Sequence, residues 1–123
     1  MRPEILSILN AAGCSFYHTG SRAICSPAPM DTDDDWLVLC KNISHLVDTV
    51  QMLDNSGWVR GGSEVPESEF IAFRKEEVNL IVTNSTWFYD KYREATVLSK
   101  KLNLLNKEDR IAVFSTLLNR KPN

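Results

Sequence analysis
The chain has 123 residues, 43% of them hydrophobic and 24% charged, which is the size and balance of one globular domain with one core. A net charge of −2 leaves no broad basic footprint and argues against a sequence-independent nucleic-acid binder. Cys14, Cys25 and Cys40 are an odd count without a CxxC pair, which argues against a zinc site or a disulfide framework and for reduced thiols.

Pro3 suits a first helical turn, and Ile5, Leu6, Ile8, Leu9 and Ala12 follow at helical spacing until Gly13, so a helix is expected over about 3–12. Cys14 to Thr19 reads as a short strand, with Phe16 and His18 on one face and Tyr17 on the other, ended by Gly20-Ser21. Pro27, Pro29 and the run Asp31-Thr32-Asp33-Asp34-Asp35 make 22–34 an expected irregular stretch. Trp36-Leu37-Val38-Leu39-Cys40 is a continuous apolar run, the pattern of a buried central strand.

Asn42 or Ser44 caps the next expected helix, whose stripe is Ile43, Leu46, Val47, Val50 and Leu53, with Asn55 and Gly57 at its end. Trp58-Val59-Arg60 is a short strand ahead of a Gly61-Gly62 turn, and 63–68 is a polar loop containing Pro66. Strands over 70–74 and 78–83, separated by Lys75-Glu76-Glu77, form a hairpin. Asn84 or Ser85 caps a long helix with the stripe Phe88, Tyr92, Ala95, Leu98, Leu102 and Leu105. Asn106 caps a last helix, with Asp109 placed to reach back to the cap and Ile111, Phe114, Leu117 and Leu118 on its buried face; 119–123 is a polar tail. The order predicts an α/β (α+β) domain, a mixed sheet of four or five strands flanked by helices, with a C-terminal helical pair. No apolar run approaches the roughly 18 residues of a membrane span, and Met1-Arg2-Pro3-Glu4 opens no signal-peptide core, so a soluble cytoplasmic protein is expected.

The stretch that carries chemistry is Gly20-Ser21 followed by Asp33-x-Asp35 at the head of an apolar strand. Transfer of a phosphoryl or nucleotidyl group needs a triphosphate held while Mg²⁺ neutralises its oxygens, and Mg²⁺ takes one or two carboxylates plus phosphates. Two ions held together can stabilise both the attacking and the leaving oxygen. Side chains two apart on a strand share a face, so Asp33 and Asp35 can converge while Trp36 turns away. Glycine lets the backbone approach a phosphate, and the turn supplies N–H groups and a hydroxyl.

The sequence Tyr17-His18-Thr19-Gly20-Ser21-Arg22, then Asp31-Thr32-Asp33-Asp34-Asp35-Trp36-Leu37-Val38, resembles the nucleotidyltransferase superfamily that includes DNA polymerase beta. The family pattern is a hydrophobic strand, Gly-Ser, a spacer, and Asp-x-Asp at the start of a second strand. The phrases Phe73-Arg74-Lys75, Val78-Asn79-Leu80-Ile81-Val82 and Asn103-Leu104-x-x-Lys107-x-Asp109-Arg110 are similar to small nucleotidyltransferase-like proteins of tailed bacteriophages. The resemblance implies phosphate contact at Gly20 and Ser21, metal ligation at Asp33 and Asp35, Mg²⁺ in a one- or two-ion site, and an NTP substrate. Two positions depart from the pattern. Asp34 stands where the residue between the aspartates is usually apolar, and Asn79 stands in the slot of a third carboxylate, with Glu77 one step upstream on the same parity as a substitute.

Other candidates read more plainly. Asp31 and Asp34 read as solvated, His18 as a structural histidine and His45 as a surface residue; the three tryptophans Trp36, Trp58 and Trp87 read as packing residues. Arg22 is either a triphosphate partner or a surface residue. Arg60 and Arg74 read as solvated arginines that could line the cleft, and Lys100, Lys101, Lys107, Arg110, Arg120 and Lys121 as a solvated basic face. Two functions follow. One is Mg²⁺-dependent transfer of a nucleoside monophosphate from an NTP to a hydroxyl of a protein, an RNA or a small molecule. The other is a catalytically reduced binding protein on the same fold that contacts a nucleotide or a host protein; that it is phage-encoded and acts in the host cytoplasm is what the resemblance implies.

Overall fold
The computed structural model describes residues 3–29, 33–61 and 69–119. Asp31, Gly62 of the expected Gly-Gly turn, the 63–68 loop, Arg120, Lys121 and the end of the tail lie outside the described residues. In chain order the elements are α1 (Pro3–Ala11), β1 (Ser15–Thr19), α2 (Gly20–Ile24), β2 (Asp34–Leu39), α3 (Ile43–Asn55), β3 (Val59–Gly61), β4 (Ile71–Lys75), β5 (Val78–Thr83), α4 (Thr86–Lys101) and α5 (Lys107–Leu118).

The strands form one sheet in the order β1-β2-β5-β4-β3. The β2–β5 pair is parallel, and β1–β2, β4–β5 and β3–β4 are antiparallel. Strand alternation sends side chains to two faces, and each face has its own core. On one side Val38, Phe73, Leu80 and Val82 pack with Ile5 and Leu9 of α1 and Val50 and Leu53 of α3. On the other, Leu37 and Ile81 pack with Ile24 of α2, Phe88, Tyr92 and Ala95 of α4, and Phe114 and Leu118 of α5. The result is a three-layer α+β domain, as the element order predicts. None of the helices among the described residues is long and apolar enough to cross a membrane.

The helix caps are local chemistry. Asn42 accepts from His45 N–H, and Ser85 from Phe88 N–H, which selects one residue from each expected pair of caps. Asn106 accepts from Glu108 N–H, so that cap closes without a reach-back bond from Asp109.

Several boundaries differ from expectation. The stretch 22–34 is not irregular throughout. Residues 20–24 wind into α2, and β2 begins at Asp34 because Asp34 N–H donates to Glu77 carbonyl at 2.7 Å. The Lys75-Glu76-Glu77 connection is tighter than expected: Lys75 stays in β4, and Glu76, at φ 56°, turns the chain with Glu77. The apolar stripe of α4 also drifts. Thr96 and Ser99 are buried, whereas Leu98, Leu102 and Leu105 are exposed, because the helix ends at Lys101 and the last two leucines fall beyond it. On α3, Ile43 and Val47 are exposed, and the helix packs through Val50 and Leu53.

Candidate functional site
The site is assembled at one end of the β1-β2-β5-β4 sheet, on the face covered by α2, α4 and α5. The register sets Thr19 beside Asp35, Asp35 beside Asn79, and Asn79 beside Arg74. Four consecutive strands thus contribute one polar position each to a single row. Asp33 precedes β2 by one residue and has the parity of Asp35, so it joins the same row.

Gly20 opens α2 directly after β1, at φ +75°. A Cβ built on it would overlap the carboxylate of Asp35. Glycine is therefore required here twice, by its backbone angle and by the aspartate against which it lies. This contact seats the Gly20-Ser21 turn beside Asp35. Arg22 follows on α2, half-buried, with no bond to either aspartate. Thr19 ties the turn to α4. Thr96 Oγ1 donates to Tyr92 carbonyl at 2.9 Å, so in the 2.7 Å bond between the two hydroxyls it is Thr19 that donates.

Asn79 stands between the two aspartates. Its Nδ2 donates to Asp33 Oδ2 at 3.1 Å and to Asp35 Oδ1 at 3.0 Å. Ionised carboxylates only accept, so the amide nitrogen is the end that faces them in the protein alone. Arg74 adds a fork. Nη1 reaches Asp33 Oδ2 at 3.0 Å and Nη2 reaches Asp33 Oδ1 at 2.7 Å. Asp35 lies deeper. Burial, with the charges of Asp33 and Asp34, pushes its carboxyl up to about 6 against the Asn79 bond and the Arg74 charge. Burial first, then the Asp35 charge, also raises the Tyr92 phenol above its ordinary value.

Asp34 departs from its reading as a solvated residue. It faces the α1 side, is 5% exposed, and accepts from His18 Nε2 at 2.9 Å and Trp36 Nε1 at 3.0 Å. The His18 ring stacks on Trp36 at 4.6 Å between centroids, which makes this histidine structural, as expected. The polar residue between the aspartates is thus a satisfied buried acid clamped on the reverse face. Glu77 is the carboxylate expected one step upstream of Asn79. It is exposed in the hairpin turn, where its carbonyl holds Asp34 N–H. His45 is half-buried, not a surface residue. Its Nδ1 accepts from Lys41 N–H at 2.9 Å and its Nε2 donates to Ala12 carbonyl at 2.6 Å. The cysteines Cys14, Cys25 and Cys40 are free and buried.

The donor set can be tested against a divalent cation. Asp33 Oδ2 and Asp35 Oδ1 lie within hydrogen-bond reach of one Asn79 nitrogen, so two hard oxygens already point at one spot. That fits one Mg²⁺, which takes one or two carboxylates with water and phosphate. Among the described residues no three of His, Cys, Asp and Glu gather as a metal set, and Arg74 covers both oxygens of Asp33.

Arg74 is the member of this cluster that the sequence left among the solvated arginines. The signal that finds it is the hairpin register: with a two-residue turn, Arg74 falls opposite Asn79.

No protein-family model matches the chain, and no curated protein matches it. Two solved structures are similar. One is a mutant of the Cid1 poly(U) polymerase bound to MgATP, with 13% identity, a TM-score of 0.52, and 90% of this chain over 38% of that one. The other is terminal uridylyl transferase 4 from Trypanosoma brucei with bound UTP and UpU, with 11% identity, a TM-score of 0.49, and 80% of this chain over 35% of that one. The chain therefore spans little more than a third of the length of either. At these identities the likeness to the poly(U) polymerase is one of fold. With its mixed five-stranded sheet and flanking helices, the chain has a nucleotidyltransferase-like α+β fold.

Proposed function
We propose that this domain binds a nucleoside triphosphate with one Mg²⁺ at the end of β2 and transfers its nucleoside monophosphate to a hydroxyl of an acceptor protein, RNA or small molecule, the α–β phosphoanhydride bond breaking and pyrophosphate leaving as the new ester forms. The observation that carries this reading is the convergence of Asp33, Asp35 and Asn79 in one row beside the Gly20-Ser21 turn. In it, Asp33 and Asp35 hold the cation. The backbone N–H groups and hydroxyl of Gly20-Ser21 hold the triphosphate, and Arg22 on the same helix adds charge toward it. The amide of Asn79, turned over, offers Oδ1 as a neutral third oxygen. When bound, Mg²⁺ supplies charge neutralisation on the phosphate oxygens. The cytoplasm, where NTP and Mg²⁺ are both present, is the compartment that suits this chemistry.

A second reading is favoured by the same Asn79. A neutral amide cannot take the proton of an attacking hydroxyl as a carboxylate can, so the domain would hold a nucleotide without transferring it. Calorimetry with ATP and with UTP in Mg²⁺ tests the site: ATP accompanies the poly(U) polymerase neighbour, and UTP is the natural comparison. The wild type gives binding heat with at least one of them, and Asp33→Ala/Asp35→Ala gives none. Equal heats from the two proteins would reject the site. Labelled NTP incubated with cell extract then separates the readings. Labelled product supports transfer, and binding without product supports the second reading.

A further inference from the structure
The guanidinium of Arg74 engages both oxygens of Asp33, at 2.7 and 3.0 Å, in the two-pronged geometry that arginine makes with a carboxylate. Asp33 Oδ2 also accepts from Asn79. Each oxygen that Asp33 could offer a cation is thus taken by a donor of this chain. Arginine keeps its charge at every accessible pH, so the blockade cannot be lifted by deprotonation. It can be lifted by exchange. The Arg74 side chain is 52% exposed and that of Asp33 35%, and exposed ion pairs are weak enough to open readily.

We propose that Arg74 is an internal counter-ion that keeps Asp33 closed to a divalent cation until a triphosphate is present. A cation entering alone must displace the fork and leave a free guanidinium beside a new positive charge. A cation entering with a triphosphate brings phosphate oxygens with it, and a guanidinium pairs with phosphate in the same two-pronged way as with carboxylate. Cation and triphosphate then bind cooperatively, and Arg74 is the residue that couples them. This rests on the assignment of Asp33 and Asp35 to the cation, and deepens it by giving the order in which the site fills.

Lys75 supplies the control. It is the next residue on β4, carries the same charge, and spends its Nζ on Ser56 carbonyl at 2.9 Å, away from the carboxylates. The experiment is calorimetric titration of Mg²⁺ alone into the wild type, Arg74→Ala, Arg74→Lys, Lys75→Ala and Asp33→Ala/Asp35→Ala. The same titrations are repeated with a non-hydrolysable ATP analogue present. Without nucleotide, Arg74→Ala binds the cation about two- to fivefold more tightly than the wild type, the scale of losing one exposed ion pair. Arg74→Lys falls between the two, Lys75→Ala matches the wild type, and the double aspartate variant binds no cation. With the analogue present, the advantage of Arg74→Ala disappears. An Arg74→Ala protein that binds Mg²⁺ no better than the wild type overturns the proposal, as does a Lys75→Ala protein that gains as much. Undiminished binding in Asp33→Ala/Asp35→Ala instead overturns the cation assignment itself.

Discussion

Burial, reinforced by the charges of Asp33 and Asp34, holds the Asp35 carboxyl at about 6, well above the 3.8 of a free aspartate. Between those two values the folded protein binds this proton more tightly than the unfolded chain does. Protonation therefore favours folding, and stability falls as the pH rises through about 6. Asp35→Asn removes the titration. In the protein freed of divalent ions it is expected to add about 2–3 kcal/mol at pH 8, where the aspartate is charged, and little below pH 4, where it is neutral. Urea unfolding in EDTA at the two pH values measures this, and an equal effect at both would remove the electrostatic explanation. At this scale the sequence was informative where alternation alone decides. Asp33 and Asp35 share a face because they lie two residues apart at the head of one strand. It read Asp34 as solvated and offered Arg74 only as an arginine that could line the cleft, because burial against His18 and Trp36, and a fork across 41 residues of chain, depend on strand pairing that no local pattern encodes.

The joint between β1 and α2 is held to α4 by one buried pair of hydroxyls, Thr19 and Thr96, 0% and 2% exposed. Thr96→Val would leave the Thr19 hydroxyl buried without its acceptor, at a cost of about 1–3 kcal/mol. Thr19→Val/Thr96→Val would cost less than the sum of the single changes, because it removes donor and acceptor together. Chemical denaturation of the three proteins tests the coupling, and strict additivity would contradict it. The α4 pattern explains why its inward face was misjudged. Thr96 and Ser99 turn inward, and a search for apolar periodicity passes over them. Helix α2 escaped for another reason. Five residues are too few to show a period, and the prolines that follow marked the whole stretch as loop.

Across the molecule, the order of the elements other than α2 was legible, since α3, α4 and α5 each carry a cap and a stripe and β2 and β5 each an apolar run. The order of strands in the sheet was not. The parallel β2–β5 pair, made between segments more than forty residues apart, is what carries Asn79 to Asp35, and it emerges only when both faces of the sheet are covered. The two cores leave the polar row at the end of that pair, where α2 and α4 frame it. The likeness to the poly(U) polymerase covers 90% of this chain and 38% of the longer one. The central claim is that the row of Asp33, Asp35 and Asn79 takes one divalent cation with a triphosphate at the Gly20-Ser21 turn. Anomalous scattering from crystals grown with Mn²⁺ and a non-hydrolysable ATP analogue tests it most directly. One Mn²⁺ peak between the carboxylates of Asp33 and Asp35, with phosphates against Gly20-Ser21 and Arg74 released from Asp33, is the predicted result. A nucleotide bound elsewhere, or bound with the Arg74 fork intact and no Mn²⁺ at the aspartates, would contradict it.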